Sequence, residues 1–363
     1  MFKAATILAC VLVLAAGCSS TATRQAKAPP PDWDESPVFQ PLPIVVPAPL
    51  PPSPPPVAPT LFAPEVKWIS LERWAAERGL GGLRRLSGPP LAAWTLTTSN
   101  GVFVFRAGNL SAQWDNLEIR LGFAPQLIGE QLFVHALDLR KNVEPLLAGY
   151  SQVAQPNRSI VLDPGHGGAN PGARSTYNGG SEKDYTLDWA FRLSTLLAAQ
   201  GWQVFLTRTN DADVPLSQRV AFAEQSRADL FLSLHFNSSG GGNHQAGVET
   251  YCLTPTGLPS SVTRNYDDDV NLVLPNNAFD EQNLQLAVRL HRALLNATGQ
   301  SDRGVRRARF MTVLQGQQRP AVLLEGGYLS NPAEAQRIAD PAFRQQLAEA
   351  VAGALGTRME DGR

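Results

Sequence analysis

Ile160-Val161-Leu162-Asp163-Pro164-Gly165-His166 is an apolar run that passes through a turn signal and ends on a histidine. Two other stretches repeat the arrangement. Leu230-Phe231-Leu232-Ser233-Leu234 ends on His235, and Ala321-Val322-Leu323-Leu324 ends on Glu325. Short apolar runs bounded by turn residues read as buried strands. In open α/β sheets, ligands bind just beyond the carboxyl ends of such strands. Two histidines and a glutamate delivered to one sheet edge are the parts of a zinc hydrolase, since catalytic zinc takes three protein ligands and keeps a position for water.

Around these runs the chain from Asn157 alternates strand and helix patterns. A Gly-rich loop, His166 to Gly180, leads to a helix from about Glu182 to Gln200. Ser181 is its expected N-cap, Asp184 its capping-box partner and Gly201 its stop. A strand at Val204 to Thr207, a helix from Leu216 to Ser226 and a strand from Gly247 to Leu253 follow. Thr254 to Phe279 is polar, carries Asp267 to Asp269, and reads as a long inserted loop. Further on we expect a helix from Glu281 to Ala297, strands near Val305 and from Phe310 to Leu314, and helices from Pro332 to Ala339 and Pro341 to Leu355. The fold class is therefore α/β, with a mixed twisted sheet flanked by helices.

Ahead of this region, residues 61–150 read as a small α+β domain. Trp68 to Gly79 is a strand and a short helix stopped by Gly79. Trp94 to Thr98 and Val102 to Arg106 flank a hairpin signal at Ser99-Asn100-Gly101. Leu117 to Leu121 and Gln131 to Val134 add strands. The string loosely resembles the small N-terminal domain of some copper amine oxidases. His135 has no second ligand near it in sequence and is expected to be structural.

The amino terminus carries an address. Lys3 precedes an apolar run from Ala4 to Ala16 that is too short to cross a bilayer as a helix, and the pattern is that of a secretory signal. It runs into Leu14-Ala15-Ala16-Gly17-Cys18, which resembles a bacterial lipobox. That resemblance implies a signal peptide over residues 1–17, lipidation of Cys18 and, in a cell with two membranes, an outer-membrane address on the periplasmic face. Residues 18–60 are a proline-rich linker, expected to be extended; at about 3.1 Å per residue, roughly 30 residues reach on the order of 90 Å. Of the three cysteines, Cys252 would be the one thiol left after processing. A formal net charge of −1 gives no electrostatic footprint for nucleic acid.

Within the catalytic region, His166 and His235 are the nitrogen ligands. The third ligand is expected to be a carboxylate or another His: Glu182, which opens the helix after the Gly-rich loop and can be folded back toward His166, with Asp184 and His244 as the competing choices. An acidic residue at Glu182 also suits a helix N-terminus. Asp163 is expected to brace the turn from behind. Glu325, followed by Gly326-Gly327, is placed to act as a general base.

Asp163-Pro164-Gly165-His166-Gly167-Gly168, Glu182, Ser233-Leu234-His235-Phe236-Asn237 and Leu324-Glu325-Gly326-Gly327-Tyr328-Leu329-Ser330-Asn331 together resemble the zinc-dependent N-acetylmuramoyl-L-alanine amidases of the amidase 3 family. The likeness spans residues 157–358. It implies one Zn2+ held by His166, Glu182 and His235, a catalytic Glu325, and peptidoglycan as substrate, cut between N-acetylmuramic acid and the first L-Ala of the stem peptide. Gly326-Gly327 stands where Thr-Gly is commoner. The Thr254-to-Phe279 loop is longer than the simplest members need, and we expect it to border the active-site groove. Two other readings remain at this point: a zinc peptidase cutting within the stem peptide, and an inactive wall-binding protein.

Overall fold

A computed structural model describes residues 67–90, 92–149, 156–240, 243–262 and 268–356. The expected signal peptide over residues 1–17, Cys18 and the proline-rich stretch of residues 18–60 lie outside the described residues.

In chain order the elements are β1 (Trp68–Ser70), α1 (Leu71–Glu77), β2 (Leu83–Ser87), β3 (Ala93–Thr98), β4 (Gly101–Arg106), β5 (Ser111–Trp114), β6 (Leu117–Arg120), β7 (Gln126–Ile128) and β8 (Gln131–His135). Then come α2 (Ala136–Asp138), a π-helical turn (Leu139–Val143), α3 (Glu144–Leu147), β9 (Ser159–Pro164), α4 (Glu182–Ala199), β10 (Gln203–Leu206), α5 (Leu216–Ser226) and β11 (Leu230–Asn237). The chain continues with β12 (Val248–Cys252), a 3-10 turn (Pro275–Phe279), α6 (Asp280–Thr298), β13 (Asp302–Arg307), α7 (Thr312–Gln315), β14 (Ala321–Tyr328), α8 (Pro332–Ala339) and α9 (Pro341–Gly356).

The main sheet has eleven strands in the order β10-β9-β11-β14-β12-β13-β6-β5-β4-β3-β2, and a three-stranded sheet has the order β1-β8-β7. Strands β10, β9, β11 and β14 are parallel. Strand β12 runs antiparallel to β14, and β13 runs parallel to β12. Ile160, Val161 and Leu162 are all buried, as are Leu230 to Leu234. Such unbroken burial is what a parallel sheet covered on both faces requires. One core joins Ile160, Leu162, Leu232, Leu234, Val322 and Leu324 to Trp189 and Leu193 of α4, Leu290 of α6 and Leu347 of α9. On the opposite face Val161, Phe231, Tyr251 and Leu323 pack with Ala223 of α5 and Leu314 of α7.

The small amino-terminal unit is built into this sheet. Val305 of β13 pairs in parallel with Ile119 of β6, and β5, β4, β3 and β2 continue antiparallel. Its strands alternate: Leu117, Ile119, Trp114, Phe103 and Phe105 are buried, while Glu118, Arg120, Ser111 and Gln113 lie on the half-exposed face.

Three sequence expectations need correction. Phe310 to Leu314 is a turn and the start of α7, not a strand; a five-residue apolar run carries no period that separates the two. Ser181 makes no side-chain cap, so the Ser181–Asp184 capping box does not form. Loop carbonyls serve the first turn of α4 instead, with Glu182 N–H donating to Ala173 O and Lys183 N–H to Pro171 O. Finally, the Thr254-to-Phe279 loop leaves the sheet at the edge opposite Glu325. Glu249 pairs with Glu325 and Tyr251 with Leu323, so β12 runs away from the site before the loop begins. The described part of the loop is tied there by Arg309, which donates to Pro255, Leu258 and Leu272 carbonyls.

Candidate metal centre

The parallel strands bring the site residues to one edge. Strand β9 stops at Pro164, and Gly165 N–H donates to Leu234 O at 3.0 Å. His166 follows with φ 64°, a left-handed conformation that costs a side-chain-bearing residue free energy. Two buried arginines hold the backbone in it. Arg219 donates to Pro164 O (2.8 Å) and His166 O (2.7 Å), and pairs with Asp163 Oδ1 at 2.7 Å. Arg208 donates to Pro164 O (3.0 Å), Gly165 O (2.9 Å) and Lys183 O (2.7 Å). Asp163 also accepts from Thr207 and Ser233, so it braces the turn through Arg219.

The His166 ring is oriented from its far side. Asn170 Oδ1 accepts from Gly172 N–H and lies 3.0 Å from His166 Nδ1, so Nδ1 is the protonated nitrogen. Nε2 is aimed at Glu182 Oε2, 3.1 Å away, and is the nitrogen that would give its lone pair to a metal. Glu182 opens α4 and is buried. Its Oε1 accepts from Phe236 N–H at 3.0 Å and lies 2.9 Å from His235 Nδ1, while Oε2 accepts from Ala173 N–H at 2.8 Å. The rings of His166 and His235 meet edge to face at 4.9 Å. One potential ligand atom from each of His166, Glu182 and His235 falls within 4.8 Å of the others.

The surroundings leave no spare room. A Cβ on Gly165 would stand 2.2 Å from the His235 ring, and one on Gly172 2.5 Å from Glu182 Oε2. Burial by itself pushes the Glu182 carboxyl up, yet the hydrogen bonds and charges of the two histidines outweigh it and hold the group below its usual range. Burial likewise opposes charge on His166, and Glu182 outweighs it to raise that imidazole.

Glu325 stands opposite His235 in the β11–β14 pairing and opposite Glu249 in the β14–β12 pairing. Burial first, then the charges of Glu182 and Glu249, push its carboxyl well above the ordinary value. Its Oε2 is shielded from solvent and has no hydrogen-bond partner among the described residues. Two imidazoles and a carboxylate are a catalytic zinc donor set. A cation among them, with a proton donor facing Glu325, would relieve both features, so these residues fit the metal.

The competitors lie elsewhere: Asp184 and His244 are exposed and outside the cluster. His135 is buried against Trp68 and Phe123 and accepts from Leu137 N–H, a structural position. Cys252 is buried in β12. Sequence reasoning missed Arg208, Arg219, Asn170 and Glu249. Glu249 alone left a signal, an acid inside the β-favouring run Val248-Glu249-Thr250-Tyr251.

The family model for N-acetylmuramoyl-L-alanine amidase matches residues 160–357. Among curated proteins, the chain is 31% identical over 253 residues to the N-acetylmuramoyl-L-alanine amidase AmiC of Escherichia coli, covering 62% of this chain and 59% of that protein. It is 34% identical over 198 residues to the sporulation-specific N-acetylmuramoyl-L-alanine amidase of Bacillus subtilis, covering 54% and 66%. The chain thus spans about three-fifths to two-thirds of the length of these relatives. Among solved structures, an N-acetylmuramoyl-L-alanine amidase from Clostridium difficile aligns with 30% identity and a TM-score of 0.45, over 54% of this chain and 93% of that one.

Proposed function

The chain belongs to the N-acetylmuramoyl-L-alanine amidase family, and from that membership we propose that it hydrolyses the amide joining N-acetylmuramic acid to the first L-Ala of the peptidoglycan stem peptide. The observation that carries this reading is the convergence of His166, Glu182 and His235 beside an unpartnered Glu325 oxygen.

His166, Glu182 and His235 would hold a zinc ion. Such an ion, when bound, polarises a carbonyl and lowers the pKa of water to about 7. Glu325 takes a proton from the attacking water and later returns it to the departing L-Ala amine. Its raised proton affinity suits the second step, and its place opposite His235 keeps it beside the metal ligands. Arg208 and Arg219 fix the His166 backbone, and Asn170 fixes its ring. The glycines after Glu325 serve packing and not substrate space: a Cβ on Gly326 would stand 2.9 Å from the Phe236 ring and one on Gly327 2.8 Å from Gln300, and both positions are buried.

The lipobox at Cys18 and the proline-rich linker support an envelope enzyme, tethered by lipid to the periplasmic face of the outer membrane and reaching from it into the periplasm to its polymer. The test is a digest of purified peptidoglycan read by mass spectrometry. Products that begin with a free L-Ala amine support the amidase; cuts inside the stem peptide would replace it with the peptidase.

A further inference from the structure

Beside Glu325, on the same sheet face, lies a cluster of charge that the hydrolytic step does not use. Tyr251 pairs with Leu323 on one side and Arg306 on the other, which puts Arg306 on the face that carries Glu325. Val305 and Ile119 point to the buried face, so Glu118 and Arg120 of the amino-terminal unit share the face of Arg306. Arg303 lies over the ring of Tyr328, 5.6 Å from its centroid.

We propose that Arg303, Arg306 and Arg120 form a ledge that binds the free carboxylates of the stem peptide beyond the scissile bond. The proposal rests on the amidase reading for the direction in which the peptide leaves Glu325.

Three guanidiniums here share two carboxylates, and loosely. Arg306 Nε is 3.3 Å and Arg303 Nε 3.9 Å from Glu249 Oε1; Arg306 Nη1 and Arg120 Nη1 are 3.8 and 3.9 Å from Glu118 Oε1. Glu249 Oε2 accepts from Asn237 (2.7 Å), Tyr328 (2.9 Å) and Tyr251 (3.1 Å), which leaves Oε1 to the arginines; Glu118 Oε1 accepts from Ser111 (3.0 Å), whose Oγ accepts in turn from Arg120 Nη1 (2.8 Å). The Nε groups of all three arginines are shielded and make no hydrogen bond among the described residues. Burial, and next to it the charge of Arg306, destabilises the Arg120 cation. A guanidinium fork so placed is short of the acceptor it fits best, a planar carboxylate. The side chains remain open to one, being 14 to 31% exposed.

The spacing suits the second and third stem residues. Strands lie about 4.8 Å apart, so β13 is about 10 Å from Glu325 and β6 about 14 Å. An extended peptide advances about 3.3 Å per residue, and its side-chain carboxylates add further reach. Arg120 comes from the amino-terminal unit, which gives that unit a role in recognition.

The test uses the zinc-loaded full chain and the tripeptide L-Ala-γ-D-Glu-L-Lys, with its carboxylates free or both amidated, in calorimetric titrations. The free acid should bind about tenfold tighter than the amide, as hydrogen bonds to charged groups allow. Arg120→Gln and Arg306→Gln should lose that preference with zinc content and melting temperature unchanged, and Arg120→Lys should keep part of it. Equal binding of acid and amide by the parent chain overturns the ledge, as does a preference that survives both Gln variants. Product masses from peptidoglycan are read separately. A chain that cuts the muramoyl amide but ignores the carboxylates sinks the ledge alone. One that prefers the acid yet never cuts that amide sinks the amidase alone.

Discussion

His235 and Glu325 are direct partners in the parallel pairing of β11 with β14. Neighbouring residues in such a pairing project to the same face, about 4.8 Å apart. A proposed metal ligand and a proposed proton carrier are thereby spaced by sheet geometry and not by a loop. Gly165, at the end of the next strand, completes the row, since its N–H is bonded to Leu234 O.

That row makes Gly165 a sensitive position. Gly165→Ala would drive a methyl to 2.2 Å from the His235 ring. We expect a folded protein with weakened zinc retention, measured by competition with a chromogenic chelator. Undiminished retention would mean that the ring can move without consequence for the metal.

The Asp163–Arg219 pair predicts a loss of stability. Both side chains are buried, and Arg219 also binds the carbonyls of Pro164 and His166. Arg219→Ala strands the Asp163 charge and should cost about 3–5 kcal/mol. Urea unfolding of the metal-free protein measures this, and a change below about 1 kcal/mol would show that Asp163 finds other partners.

A pH dependence follows from Asp138, whose carboxyl is raised by burial to about 6 despite hydrogen bonds from Gly122, Asn142 and Phe123. Its folded value lies above the unfolded one, so the folded state takes up a proton first. This group's contribution to stability is full below the unfolded value near 3.8 and is lost as pH rises through about 6. Going from pH 7 to pH 5, the parent should therefore gain stability relative to Asp138→Asn. Parallel curves in denaturant titrations at the two pH values would refute this.

The shared sheet predicts that the amino-terminal strands are needed for folding. Without them β13 becomes an open edge beside β12. Arg307 would lose Lys141 O and Asn142 Oδ1, and Gln285 would lose the carbonyls of Pro145 and Gly149. A chain beginning at Asn157 should aggregate or melt at a clearly lower temperature than one beginning at Leu61. A monomer of unchanged melting temperature would count against the prediction.

Sequence carried the parallel core well because its signals are local. The runs ending at Pro164, His235 and Glu325 are buried on both faces, and α5 follows its pattern from Leu216 to Ser226. The strand β5, Ser111–Trp114, is not legible in sequence because its alternation, buried at Ala112 and Trp114, lasts only four residues. The loop after β12 was assigned to the wrong edge because its destination depends on the antiparallel pairing of Glu249 with Glu325, which no local pattern encodes. In the site, His166, Glu182, His235 and Glu325 can be proposed from sequence, since each follows an apolar run or opens a helix, although β11 and β14 continue past His235 and Glu325 to Asn237 and Tyr328. Arg208 and Arg219 could not, because their work is done on backbone carbonyls far away in sequence.

The most direct measurement pairs zinc content with peptidoglycan cleavage in four variants. His166→Ala, Glu182→Ala and His235→Ala should each lose both metal and activity. Glu325→Gln should keep one zinc per chain while release of L-Ala-terminated peptides falls about 10²–10⁴-fold, the scale of general acid–base catalysis. A Glu325→Gln protein that cleaves at the parent rate, or ligand variants that retain zinc, would contradict the account.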